Sequence, residues 1–163
     1  MERVPLIRDD EYYMRQCLAL AEAAMAKGEV PVGAMVVLQG CVLGEGMEAT
    51  CESHDPTAHA EVLAVRAACA AGRTRILQGA TLYTTVEPCV FCGFAVRSAH
   101  VSRVVYGAPA GQLGACHPPY FLMTDESITS WGPPPSIVQV LSEECAALLD
   151  RYAARKRSLP LTG

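Results

Sequence analysis

"TLYTTVEPCVFCGFAVRSAHVSRVVYG", residues 81–107, carries the fold in the order of its signals. Residues 80–86 are rich in β-branched and aromatic side chains, the composition of a strand. Pro88 has the fixed φ that suits the first turn of a helix, and residues 88–99 read as that helix. Residues 102–107, SRVVYG, return to strand composition.

Upstream, "DPTAHAEVLAVRAACAAG" (55–72) is predicted as a second helix, with Asp55 as N-cap, Pro56 at the first helical position and Gly72 as the stop. Residues 30–46, VPVGAMVVLQGCVLGEG, form two β-rich runs around Gln39-Gly40, a short-loop hairpin signal. Before them, Met14, Cys17, Leu18, Ala21, Ala24 and Met25 recur at three- and four-residue steps, so 10–27 should be an amphipathic helix ended by Gly28. Downstream, Gly, Pro, Thr and Ser interrupt every apolar piece between Ala108 and Pro135, and no element is assigned there. A short strand over Ile137 to Val140 then leads to a helix with Leu141, Cys145, Leu148, Leu149 and Tyr152 at helical spacing. No repeat or linker interrupts the order, which predicts a three-layer α/β/α sandwich around a mixed sheet, in a single domain over 1–163.

Composition narrows the partner. The net charge is −4 and the pI near 5.5, which offers no general footprint for a phosphate backbone. A small molecule is therefore the expected partner, and nucleic acid the less expected one. The basic run RYAARKR (151–157) reads as a helix C-terminus whose cations complement the helix dipole. No stretch has the length of a membrane span and no signal-peptide pattern opens the chain, so a cytoplasmic location is expected. Of the eight cysteines, only Cys89 and Cys92 form a close pair; Cys17, Cys41, Cys51, Cys69, Cys116 and Cys145 read as small buried residues, not as bridges.

The chemistry lies at two predicted helix openings. Thiolates in the first turn of a helix are stabilised by unpaired N–H groups and the dipole, so Cys89 and Cys92 are suited to hold a metal. His59, in "HAE" (59–61), stands at the start of the other helix. Two thiolates and an imidazole suit Zn²⁺ and leave one tetrahedral position open, whereas structural zinc sites normally close with four protein ligands. A redox pair at Cys89 and Cys92, or a non-catalytic zinc module, are the competing readings.

Together, "HAE" with "PCVFC" (88–92) resemble the signature of the zinc-dependent nucleobase deaminases of the cytidine deaminase-like superfamily. The stretches "EVPVGA" (29–34), "HDPTAHAE" (54–61), "TLYTTVEPC" (81–89), "RVVYGA" (103–108) and "ECAALL" (144–149) are similar to bacterial tRNA adenosine deaminases and their free-base relatives. The resemblance implies a five-stranded mixed sheet, a homodimer, and zinc on His59, Cys89 and Cys92. It implies that Glu61 is the catalytic acid and base beside a zinc-activated water, and that Val30 and Ala60 contact substrate.

Two departures steer the substrate reading. Glu48 stands where these deaminases usually carry a substrate-binding asparagine, and a carboxylate that only accepts hydrogen bonds should prefer a ring with additional N–H groups. Residues 107–135 lack the basic, Gly- and Ser-containing pattern of tRNA deaminases, and Trp131, ahead of Tyr120 and Phe121, is the aromatic expected to stack on a flat heterocycle. Asp125 and Glu126 are weaker candidates for a second acid. The expected reaction is zinc-dependent hydrolytic deamination of a free amino-heterocycle (nucleobase, base analogue or s-triazine) with release of ammonia; the alternative is tRNA adenosine-to-inosine deamination.

Overall fold

The computed structural model describes residues 8–158; the readings that involve residues 1–7 and 159–163 lie outside them. The helices are α1 (Asp10–Ala26), α2 (Ala60–Gly72), α3 (Val90–Ser98) and α4 (Ser142–Ser158). The strands are β1 (Gly33–Leu38), β2 (Cys41–Met47), β3 (Thr81–Val86), β4 (Arg103–Ala108) and β5 (Ser136–Gln139). They form one five-stranded sheet in the order β2-β1-β3-β4-β5. β1 runs antiparallel to β2 and β3, while β3, β4 and β5 are mutually parallel, so the sheet is mixed as expected.

Alternation along the strands sorts the two cores. Ala34, Val36, Leu82, Val104 and Tyr106 face α2 and α3, joined there by Ala64, Ala68 and Val96. Met35, Val37, Tyr83 and Val105 face the other side, where Met14 and Cys17 of α1 and Cys145 of α4 cover them. The β1–β2 turn places both Gln39 (φ 50) and Gly40 (φ 78) in the left-handed region, the geometry of a two-residue hairpin whose twist matches its strands.

Two glycines set how close α2 lies to the sheet. A Cβ on Gly46 would overlap the Ala60 carbonyl oxygen, and one on Gly44 would overlap that of Ala64. Only a bare backbone admits the helix at this distance, and the first turn of α2 is the part that carries His59 and Glu61.

Both site helices begin later than predicted. Asp55 Oδ1 accepts from the Thr57 N–H at 2.8 Å and the Thr57 hydroxyl at 2.7 Å, closing a single local turn that does not propagate. His59 is extended (φ −75, ψ 145), becomes the N-cap of α2 and frees its ring from the helix. Pro88 lies outside α3, whose N-cap is Cys89 with Sγ accepting from the Cys92 N–H at 3.5 Å. Cys89 is therefore a capping residue, and Cys92 lies in the first turn.

Of the lone cysteines, Cys17, Cys116 and Cys145 are buried as expected, Cys69 is half-buried, and Cys41 and Cys51 are exposed, against the expectation. Cys41 opens the outermost strand and Cys51 lies in the loop after β2, where no layer covers them. The segment 109–135 contains two short 3-10 turns, Gly111–Leu113 and Thr129–Trp131. It is held to α3 by buried Arg97, whose guanidinium donates to the carbonyls of Leu122 (2.6 Å), Asp125 (2.9 Å) and Gly132 (3.4 Å).

Candidate active site

The openings of α2 and α3 meet, as their order in the sequence suggested. His59 Nδ1 lies 3.3 Å from Cys92 Sγ and 3.6 Å from Cys89 Sγ. Zinc–sulfur bonds of about 2.3 Å and zinc–nitrogen bonds of about 2.0–2.1 Å at a tetrahedral angle require sulfur and nitrogen about 3.5 Å apart, so the donor set fits Zn²⁺. Among the described residues, these three form the one cluster of His, Cys, Asp or Glu side chains with metal-ligand spacing.

Electrostatics favour the thiolate at Cys89 and the thiol at Cys92. The Cys89 sulfur is held down to about 5, first by the hydrogen bond from Cys92, then by the Cys92 N–H, His59 and the Phe91 N–H. The Cys92 thiol is pushed up by that same hydrogen bond and by its burial. The His59 ring packs edge-on against Phe91, with centroids 5.3 Å apart, which limits its rotation.

Glu61 lies in the first turn of α2 and is 4% exposed. Its Oε2 is 3.5 Å from Cys92 Sγ, and its Oε1 is 3.3 Å from the Thr84 hydroxyl, which also reaches the Val86 carbonyl at 2.9 Å. Burial, with Cys89 and Glu48 nearby, pushes the Glu61 carboxyl up to about 7, where it can both take and return a proton.

A cavity of about 170 Å³ opens over these groups, and Val30, Glu48, His59, Glu61, Cys89 and Leu113 are among the residues lining it. Glu48 Oε2 accepts from the Ala60 N–H at 3.2 Å, doing for α2 what the side chain of its own N-cap does not. Burial raises the Glu48 carboxyl, against the pull of His59 and the Ala60 amide. Ala60 itself is fully buried behind that contact.

Trp131 is placed elsewhere. Its ring packs edge-on against Phe94 at 5.1 Å, lies 5.5 Å from the Arg97 guanidinium, and lines a different cavity with Gln78, His100 and Ser102. The reason is the Arg97 clamp, which ties the Trp131 segment to the far half of α3, away from Cys89. Asp125 is also away from the cavity; its carboxylate accepts from the Ser127 N–H at 2.8 Å. Thr84 and Glu87 belong to the site and were missed, although Glu87 immediately precedes the Pro-Cys motif and Thr84 shares one face of β3 with Leu82 and Val86.

Residues 7–108 match the family model for the cytidine and deoxycytidylate deaminase zinc-binding region. The chain belongs to this zinc deaminase family. Zinc is accordingly its cofactor, and His59, Cys89 and Cys92 are the site that fits it.

Within the deaminases, the chain is 35% identical over 156 residues to the tRNA-specific adenosine deaminase of Buchnera aphidicola subsp. Baizongia pistaciae, covering 92% of this chain and 91% of that one. A solved structure from biochemical and structural studies of A-to-I editing by tRNA deaminases at the wobble position has a TM-score of 0.77 and 35% identity, over 85% of this chain and 99% of that one. The guanine deaminase of Bacillus subtilis stands further off, with a TM-score of 0.62 and 27% identity, over 96% of this chain and 99% of that one. These likenesses overturn the expectation of a free nucleobase, base analogue or s-triazine as substrate and small-molecule partner. The expectation rested partly on net charge, which averages the whole surface and hides local clusters. Among the described residues, no helix is long and apolar enough to cross a membrane.

Proposed function

We propose that this chain is a zinc-dependent tRNA adenosine deaminase that converts an anticodon-loop adenosine to inosine and releases ammonia. The observation that carries the reading is the end-to-end likeness to a tRNA-specific adenosine deaminase, which extends beyond the zinc motif into the final helix.

His59, Cys89 and Cys92 would hold the zinc, which would supply the Lewis acid that lowers the pKa of a water. Glu61, within reach of that position through its contact with Cys92, takes a proton from the water as its oxygen bonds to C6 of adenine, and passes the proton to N1. Glu61 then takes the remaining proton from the oxygen now bonded to C6 and delivers it to the amine as the C6–N6 bond breaks, which leaves the C6 carbonyl and ammonia. Thr84 orients the carboxylate through Oε1. Val30 offers an apolar wall for the ring. Glu48 positions the Ala60 amide and presents a hydrogen-bond acceptor to the substrate.

Local charge supports an RNA partner. Arg155, Lys156 and Tyr152 of α4 border a recess with Met25 and Gly28, and Gly28 is followed two residues later by Val30 of the cavity. Arg157 adds to the last turn of α4, so a cluster of cations stands beside Gly28. A homodimer is part of the proposal, supported by exposed Phe91 and Phe94 on α3, and so is a cytoplasmic location, where transfer RNA is found.

The test is incubation of the zinc-loaded protein with adenosine-containing anticodon stem-loops and nuclease digestion to nucleosides. Inosine at the wobble position is the expected product; no inosine in any stem-loop would remove the proposal.

A further inference from the structure

Glu87 is a buried carboxylate, 2% exposed, that the chemistry above does not use. It lies two residues before Cys89, and the segment after β4 folds around it. Its Oε1 accepts from the Ala110 N–H at 3.3 Å, and its Oε2 accepts from the Cys116 N–H at 3.0 Å. The same Oε2 lies 3.2 Å from His117 Nδ1, whose ring is largely exposed. The backbone closes the other side: the Glu87 N–H donates to Ala108 O at 2.7 Å, and the Ala115 N–H donates to Pro88 O at 2.9 Å. Gly114 pairs with Cys89 as an isolated bridge, and a Cβ on Gly114 would overlap Glu87 Oε2, so the segment lies directly against the carboxylate.

Two residues of this wrapped segment, Ala110 and Leu113, line the same cavity as His59 and Glu61, and Leu113 is 58% exposed at its mouth. The 3-10 turn Gly111–Leu113 shapes this loop internally but does not anchor it, and among the described residues nothing else ties 109–113 by hydrogen bonds to β3 or α3. A carboxylate is the group suited to the task, because its two oxygens offer about four acceptor sites to converging N–H donors and it donates none.

We propose that Glu87 is a positioning residue for the substrate: its buried carboxylate fixes residues 110–117 so that Ala110 and Leu113 form a rigid wall of the deaminase cavity. This rests on the reading of the cavity as the substrate site. Glu87 does not touch the reacting atoms. It acts through the loop, so its loss is felt in substrate binding and not in the chemical step or in metal affinity.

The variant Glu87→Gln keeps the shape but turns an NH₂ toward backbone donors. With an anticodon stem-loop as substrate, the expected result is a KM raised about tenfold or more, with kcat within about threefold of wild type. Zinc content by atomic absorption should be unchanged. Gly114→Ala, which pushes on the carboxylate from the loop side, should reproduce the same split, and it decides the matter should Glu87→Gln not fold. An unchanged KM, or a loss of zinc in step with kcat, overturns the proposal. Hydrogen exchange on the zinc-loaded wild type needs no substrate: the Ala110 and Cys116 amides should exchange about a hundredfold or more slowly than unstructured amides. Free exchange at both overturns the proposal. If the wild type forms no inosine, the substrate assignment falls alone, and the exchange result still decides Glu87.

Discussion

Glu61 Oε2 lies 3.5 Å from Cys92 Sγ, so the carboxylate stands against a metal ligand without being one of the three. Metal binding and proton transfer are therefore separable by mutation. Glu61→Gln should retain zinc at wild-type stoichiometry while inosine formation falls by about 10²–10⁴-fold or more, the usual scale for a lost general acid–base. Metal analysis and single-turnover kinetics on one preparation read both; turnover near wild type would take Glu61 out of the mechanism.

His59, Cys89 and Cys92 tie the starts of two helices together. Chelation of zinc should abolish deamination and also lower the melting temperature, because the energy of metal binding is shared with folding of the site. Cys89→Ser should bind zinc more weakly than wild type by isothermal titration. A chelated protein that still forms inosine would contradict the metal assignment.

Gly46 and Gly44 separate packing from site geometry. Each, changed to Ala, puts a methyl group against α2 and should cost about 1–3 kcal/mol or more in urea unfolding. The Gly46 substitution presses on Ala60, between His59 and Glu61, and should also weaken zinc binding. The Gly44 substitution presses one turn later, on Ala64 and Ala68, and should leave zinc affinity near wild type.

Asp10 and Arg103 form a two-pronged pair, with hydrogen bonds of 2.7 and 2.6 Å, that joins α1 to β4. The Arg103 hydrogen bonds, helped by Tyr83, hold the Asp10 carboxyl below its ordinary 3.8, against partial burial. A depressed folded value means that the contribution is complete above the unfolded value and is lost as pH falls toward the folded one. Asp10→Asn should cost about 1–2 kcal/mol near neutral pH, the range for a charge-assisted pair of partial exposure. The gap between variant and wild type should narrow below about pH 4 in denaturant titrations, in line with linkage. A gap that stayed constant down to that pH would count against the pair.

Arg155 and Lys156 test the RNA surface. Replacing both with Ala should raise KM for a stem-loop, leave kcat near wild type, and reduce the slope of log affinity against log salt by up to about two, one for each phosphate that a removed cation had neutralised. An unchanged salt slope would move the RNA to another face.

Much of the fold was legible because its signals are local. The apolar steps of α1, the Gln39-Gly40 turn and the strand–helix–strand run over 81–107 depend on residues within a few positions of one another, and the structure has all of them. Helix starts were less legible. Asp55 makes the hydrogen bonds of a cap, but they close one turn, and α2 begins at Ala60 because Glu48, twelve residues earlier, holds its first free N–H. Trp131 was read by residue type alone, whereas its position is set by Arg97, which catches three carbonyls spread over 122–132.

The sequence by itself determined the layer order and marked the three metal-donor residues, since periodicity and donor chemistry are written in residue types and local motifs, while the fold brought His59 against Cys89 and Cys92. Tertiary structure alone decided that the segment after β4 would wrap around the Glu87 carboxylate and that Trp131 would lie outside the cavity lined by His59 and Glu61. The physical reason is the same in each case. These groups meet across more than twenty residues of chain, and the sheet and its covering helices bring them together only once the cores have closed.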